Sequence, residues 1–197
     1  MAITIDGTGT IGGVSVGGLP DGIVDTDMLA SAAVTSAKVG SLSTSNLPAG
    51  SVLQVINIIK TDHFSTSSTS YTDVTGLSTS ITPSNSSNKI LVIACINFAS
   101  TSDDVFMRLV RNSTEIAGGT SGSSFNGLME VTGNVPVRYG MTYGGTCYLD
   151  SPSTTSATTY KIQLCAPAGT SACVINRRGN DGIYGGSSTI TLMEIAG

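Results

Sequence analysis

Hydrophobic residues recur along positions 51–197 in short runs that Gly, Pro, Asn, Asp and Ser residues separate. Runs of this length between turn-forming residues are typical of β-strands. No stretch keeps a 3.6-residue hydrophobic period beyond one turn, which argues against an α/β fold. We therefore predict an all-β protein with about eight strands, at 51–60, 70–81, 89–99, 105–112, 136–149, 157–166, 172–177 and 187–195.

The predicted strands show two kinds of pattern. Residues 137–149 and 159–164 alternate apolar and polar positions, which predicts strands with the polar face in water. Residues 52–59 and 90–96 are apolar on both faces, which predicts strands that are buried on both sides. A single sandwich covers only one face of each sheet, so we expect a neighbouring subunit to cover the other.

A hairpin is predicted within residues 108–116, with Asn112-Ser113 as its turn, because Asn tolerates positive φ. Hairpins pair their strands antiparallel. The fold class expected for residues 50–197 is therefore an antiparallel β-sandwich of jelly-roll type.

The first 50 residues contain no aromatic residue and are rich in Gly. A six-residue pattern occurs at 24–29, 34–39 and 42–47, with apolar residues at both ends and Ser or Thr in third place. Such a Ser or Thr caps the start of one helical turn, but one turn is unstable alone. We therefore expect an oligomerising stalk whose axial core neighbouring chains share. The apolar residues expected in that core are Val24, Leu29, Val34, Val39, Leu42 and Leu47.

Composition strengthens the β prediction, since 28 Ser, 26 Thr and 24 Gly supply the polarity that charged residues, at 11%, do not. The nine Lys and Arg are scattered, so we expect no nucleic-acid partner. No basic stretch precedes an apolar one at the start, and the longest apolar run is 90–96. We expect neither a signal peptide nor membrane insertion. The four cysteines form no CxxC pair and are expected to be reduced packing residues.

Candidate chemistry is sparse. His63 is the only histidine, so every Ser-His-Asp, Cys-His or His-metal scheme would have to use it, and no nucleophile-elbow motif supports one. Asp103-Asp104 and Asn180-Asp181 lack the spaced acidic loop of a dedicated calcium site and fit turns better. We expect no enzyme, no cofactor and no metal.

The segment 177–186 has the densest mixture of Arg, amide, carboxylate and aromatic side chains in the chain. A loop of this composition can present donors and a flat ring to a glycan. The alternative, which we favour, is structural: the arginines form ion pairs with Asp181 or with a neighbouring subunit. The candidate receptor-binding residues are Arg177, Arg178, Asn180, Asp181 and Tyr184.

A resemblance covers nearly the whole chain. The motif Asp21-Gly22 followed by Val-x-Ser/Thr units, the block 50–55 (GSVLQV), the segment 71–77 (YTDVTGL) and the ending 188–195 (STITLMEI) resemble small bacteriophage fibre proteins. Such fibres are common in phages of marine bacteria and cyanobacteria.

The resemblance implies a homotrimeric virion protein, assembled in the host cytoplasm, with a tail-fibre role in host attachment. Residues 1–20 would dock on other virion proteins, 21–49 would form the stalk, and 50–197 would form a knob akin to tumour-necrosis-factor-like trimeric jelly rolls. The knob would contact the host surface, with a glycan as one expected receptor.

Two alternatives stay open. A capsid decoration or head-fibre protein would use the same architecture. A polysaccharide-degrading tailspike is less favoured, because such enzymes usually have long parallel β-helices and paired carboxylates that this chain of 13 acidic residues does not suggest.

Overall fold

The computed structural model describes residues 4–5, 11–12, 34, 46–101, 104–119, 128–131, 140–169 and 172–197. The chain divides into two compact units, Met1–Ser43 and Thr44–Gly197. In the first unit, β1 (Thr4–Ile5) pairs antiparallel with β2 (Ile11–Gly12).

Most of the expected attachment segment and stalk, including Val24, Leu29, Val39 and Leu42, lies outside the described residues. Val34 is exposed. Leu47 belongs to the second unit, where it is half-buried and lines a small cavity with Leu53 and Asn88.

The described part of the second unit is built from strands and contains no α-helix. No helix of the described residues is long and apolar enough to cross a membrane. The strands are β3 (Val52–Lys60), β4 (Phe64–Thr66), β5 (Thr72–Ile81), β6 (Lys89–Ser100), β7 (Val105–Arg111), β8 (Thr114–Ile116), β9 (Met129–Val131), β10 (Thr142–Asp150), β11 (Thr158–Cys165), β12 (Cys173–Ile175) and β13 (Ser188–Ile195).

These strands form two antiparallel sheets. Sheet I has the order β3-β13-β6-β10. The short strand β12 pairs with the end of β6 beyond β13, and β4 pairs with the other edge of β12, so β12 and β4 lie in line with β13 and β3. Sheet II has the order β5-β11-β7-β8, with β9 beside β8 along β7. The chain passes repeatedly between the two sheets, so most neighbouring strands are distant in sequence, with the β7–β8 hairpin as an exception. This order is that of a jelly roll, and it confirms the predicted antiparallel sandwich.

The core lies between the sheets because alternate residues of each strand point to the same face. Sheet I contributes residues such as Ile90, Val92, Ile190 and Leu192, all fully buried. The rest of the core comes from the facing residues of sheet II, including Leu77, Leu109, Tyr160, Ile162 and Leu164. The alternation at 159–164 therefore has the predicted phase.

The predicted hairpin is confirmed. Strands β7 and β8 pair up to Arg111 and Thr114, which leaves Asn112 and Ser113 as the turn. Asn112 has a φ of 53°. The strands β4 and β9 were not predicted, since each has only three residues and no pattern of its own.

The phase predicted for β10 is wrong. Its apolar alternates Tyr143, Cys147 and Leu149 point outward and are exposed, whereas Gly144 and Asp150 are buried. Residues 137 and 139 lie outside the described part of the chain. Alternation marks two different faces but does not say which one meets the core; here Gly144, Asp150 and the core-packed Tyr148 occupy the inner face.

Candidate functional site

The outward face of sheet I is the most distinctive surface of the sandwich. The register aligns its residues in rows that cross four strands: Val55–Met193–Leu91–Leu149, Asn57–Thr191–Ile93–Cys147 and Ile59–Thr189–Cys95–Gly145, followed by the pair Asn97–Tyr143. None of these side chains is charged. We call this surface the sheet I face. Lys89, at the start of β6, is the next outward position below it.

Several large apolar side chains of the sheet I face lie open to solvent. Val55 is 55% exposed, Ile59 60% and Tyr143 65%. Strands β3 and β6, predicted to be buried on both sides, are thus buried only toward the core in a single chain. Exposed apolar side chains gathered on one uncharged face in this way are typical of an interaction surface rather than of singly scattered exposed residues.

The outward face of sheet II has the opposite character. Lys161 Nζ lies 2.8 Å from Asp73 Oδ2, and Gln163 also donates to Asp73. Arg108 pairs with Glu115 at 3.2 Å. The Lys161 hydrogen bond, followed by that of Gln163, holds the pKa of Asp73 below its usual value. The outward face of sheet II therefore carries charged side chains that pair with one another and suit contact with water. The sheet I face carries no charged side chains.

A shallow recess of about 240 Å³ opens on the β10 side of the sheet I face, lined by Ile93, Cys95, Tyr143, Gly145 and Cys147 among others. Gly145 lies in this recess, with its backbone close against that of β6. A Cβ there would lie 2.0 Å from the Ala94 carbonyl oxygen, so no larger residue fits without moving the backbone. A hydrogen bond between Tyr143 and the Cys95 thiol raises the pKa of Tyr143.

The loop 177–186 joins β12 to β13 and is held by its own contacts. A bridge between Arg177 and Gly185 closes its base. Arg178 makes a bidentate ion pair with Asp181 and stacks on the Tyr184 ring, 4.4 Å from the centroid. That ion pair holds the pKa of Asp181 below its usual value.

The structure thus brings Arg178, Asp181 and Tyr184 together, while Arg177 lies at the base and Asn180 is exposed. The Arg178–Asp181 ion pair is one of the structural roles that the sequence analysis gave as the alternative to receptor binding. What protrudes is apolar: Ile183 is 72% exposed and Tyr184 60%. Sequence reasoning missed Ile183, although an aliphatic residue between Gly182 and Tyr184 in a loop was a usable signal.

The described residues include His63 and the four cysteines, on which the candidate chemistry of the sequence would depend. His63 is exposed between β3 and β4. Asp103 lies outside the described part, and within that part no group of three or more His, Cys, Asp or Glu residues is placed to hold a metal ion. All four cysteines lie in strands, with Cys165 and Cys173 buried and Cys147 exposed.

A cavity of about 650 Å³ lies between the edge strands β8 and β10. Three charged side chains line it, and each is already in an ion pair: Arg111 with Asp150 at 2.8 Å, and Glu115 with Arg108. Asp150 also accepts a hydrogen bond from the Tyr160 hydroxyl at 2.6 Å. Among the described residues that line the cavity, none therefore offers an unpaired charge to a ligand.

No protein-family model matches the chain, and no curated protein is significantly similar to it.

Proposed function

We propose that this chain is a structural virion protein, a homotrimeric bacteriophage tail fibre whose sandwich is a host-facing knob. The single observation that carries the proposal is the contrast between the uncharged sheet I face, with its exposed apolar side chains, and the ion-paired outward face of sheet II. The sequence resemblance to small phage fibres supplies the threefold symmetry and the virion setting.

Self-association explains the contrast physically. When copies of one chain pack through the same face, charges on that face can lie next to like charges of the neighbouring copy and repel them. A face without charged side chains avoids this repulsion. Burying exposed side chains such as Val55 and Ile59 removes apolar surface from water, at about 25 cal/mol per Å². Three copies with sheet I toward a common axis leave sheet II, with its satisfied ion pairs, in solvent.

Native mass spectrometry and light scattering of the full chain test the assembly. We expect a species of three times the 19.9 kDa chain mass at micromolar concentration. A monomer or a dimer under these conditions contradicts the proposal.

Host attachment is assigned to the knob and its exposed loop. We propose that Ile183 and Tyr184 make the receptor contact and that the Arg178–Asp181 ion pair fixes the conformation of the loop that carries them. A rigid loop with an aromatic side chain loses little entropy on binding, and several copies per particle add avidity.

Competition for adsorption tests the contact. Excess purified protein should block attachment of the phage that carries it, and the double variant Ile183→Ser, Tyr184→Ala should block less well while remaining trimeric. The matched control is Ser78→Ala with Ser80→Ala, both exposed on sheet II. Equal competition by wild type and the loop variant contradicts the loop assignment.

Position on the particle separates the tail fibre from the head-fibre alternative. Gold-labelled antibodies against the purified protein should mark the tail, and labelling confined to the capsid would favour the decoration role. Release of reducing ends from host polysaccharide by the purified protein would instead favour a tailspike enzyme.

A further inference from the structure

The sheet I face has complementary features at its two edges, and they lie in the same row. Ile59 projects from β3 at one end of its row, 60% exposed, and the recess at Gly145 lies at the other end, on β10. We propose that neighbouring copies meet through these edges, with β3 of one copy against β10 of the next and Ile59 seated in the recess. This inference rests on the proposed homotrimer and specifies its register.

The register follows from point symmetry. A rotation about an axis moves nothing along that axis, so when strands run along it, each row meets the same row of the next copy. The Ile59 row then places a branched aliphatic side chain opposite a position that lacks one. A protrusion and a hollow on one surface, at equal height, allow a closed ring of identical contacts.

The other two rows are compatible with this register. Val55 meets Leu149, so two exposed apolar side chains, 55% and 48% exposed, cover each other. Asn57 meets Cys147, an uncharged pair of moderate size. No row brings like charges together. The face that packs in this way covers on the order of 450 Å², in the size range of surface patches that serve interactions.

The native cysteines make the register measurable. Asn57→Cys would place a thiol in the row of Cys147, three strand spacings away within one chain, which is about 14 Å. Cysteines whose Cα atoms lie more than about 7 Å apart do not bridge without backbone movement. A disulfide between these positions therefore has to join two chains.

The full-length Asn57→Cys protein is treated with oxidised glutathione, which accepts the two electrons and two protons of each new disulfide. We expect denaturing, non-reducing gels to show covalent trimers as the main end product, with dimers as intermediates. Peptide mapping should identify the 57–147 bond. Adding Cys147→Ser to this variant should abolish the covalent dimers and trimers.

Val52→Cys is the matched control, since Val52 is 51% exposed on the same strand but lies five residues from Asn57, about 17 Å along β3. It should give no bond to Cys147. Val55→Cys with Leu149→Cys is a second variant in case Asn57→Cys folds poorly. These two positions share a row and lie three strand spacings apart within one chain, about 14 Å, so their disulfide also has to join two chains.

The outcomes separate the register from the trimer itself. Native trimers without cross-links in both cysteine variants would overturn the register and leave the proposed assembly standing. Cross-linking that stops at covalent dimers would overturn both, because a twofold pair closes after two bonds. Equal cross-linking of Val52→Cys would show non-specific collision and overturn the register.

Discussion

Glu194 shows how a single buried carboxylate is stabilised near the chain terminus. It accepts hydrogen bonds of 2.6 Å each from Asn88 Nδ2, Gln54 Nε2 and the Ser84 amide. Burial raises its pKa, but these hydrogen bonds outweigh burial and hold the pKa below 4.5. Asn88 in turn accepts from the Gly197 amide at 3.1 Å, so the cluster ties β13 and the last residue to the loop before β6.

Glu194→Gln is expected to lower the free energy of unfolding at pH 7 by about 1–3 kcal/mol, since an amide nitrogen would face donors that the carboxylate accepts. A folded pKa below the unfolded one contributes stability that is present above about pH 4.5 and lost as pH falls through the folded pKa. Urea unfolding from about pH 6 to about pH 3 should therefore show a weaker pH dependence in the variant.

The control is Glu115→Gln, which removes a half-exposed ion pair with Arg108. Its effect should stay within about 1 kcal/mol. All samples need one protein concentration, because an oligomer's stability depends on it. An equal pH dependence in wild type and Glu194→Gln would contradict the assigned role of Glu194.

At the scale of the element, the β7–β8 hairpin depends on its turn and on a contact with a third strand. Asn112 adopts φ 53°, a region that costs most L-residues about 1–2 kcal/mol. Its Oδ1 accepts from the Thr159 amide of β11 at 2.9 Å, and its own amide donates to the Thr159 carbonyl at 2.7 Å. The turn residue therefore also extends the pairing of sheet II.

Two substitutions separate these contributions. Asn112→Gly keeps the backbone conformation and loses the side-chain acceptor, so it should cost about 1 kcal/mol. Asn112→Ala loses the side-chain acceptor and also strains the positive-φ conformation, so it should lower the free energy of unfolding by about 2 kcal/mol. Urea unfolding of the two variants and wild type measures the difference; Ala and Gly variants of equal stability would show that the positive φ is not limiting.

For the whole molecule, the two outward faces differ in what they can tolerate. Ile93 lies in the middle of the uncharged sheet I face, whereas Ser78 lies on sheet II directly opposite Lys161 in the register. A new carboxylate would thus meet only uncharged neighbours on the sheet I face and a cation on sheet II.

Ile93→Glu is expected to convert the proposed trimer to monomers at micromolar concentration while the sandwich stays folded, because three buried like charges would meet near the axis. Ser78→Glu should remain trimeric. Light scattering reads the mass, and far-ultraviolet circular dichroism reads the β-structure. A trimeric Ile93→Glu protein would show that sheet I is not the interface.

The sequence predicted the elements of the sandwich well because local signals specify them. Runs such as 90–96 and the alternation at 159–164 mark strands, and Asn112 marks a turn, since each depends on a residue's own backbone and its near neighbours. The short β4 and β9 were missed because pairing with other strands, not their own pattern, makes them strands.

The candidate site was predicted only in part. Sequence indicated that 52–59 and 90–96 needed a second cover, and it singled out the loop 177–186. It did not show that Arg178 and Asp181 neutralise each other, which leaves Ile183 and Tyr184 as the protruding groups. That depends on side-chain geometry across the loop.

The sequence by itself determined the class of structure, the number of main strands and the scarcity of charge, because these follow from composition and short-range pattern. Only the tertiary structure decided which face of β10 meets the core and how the rows of sheet I align, with Ile59 and the Gly145 recess at opposite ends of one row. The physical reason is that strand pairing joins residues distant in sequence, and the face a strand buries depends on the sheet packed against it.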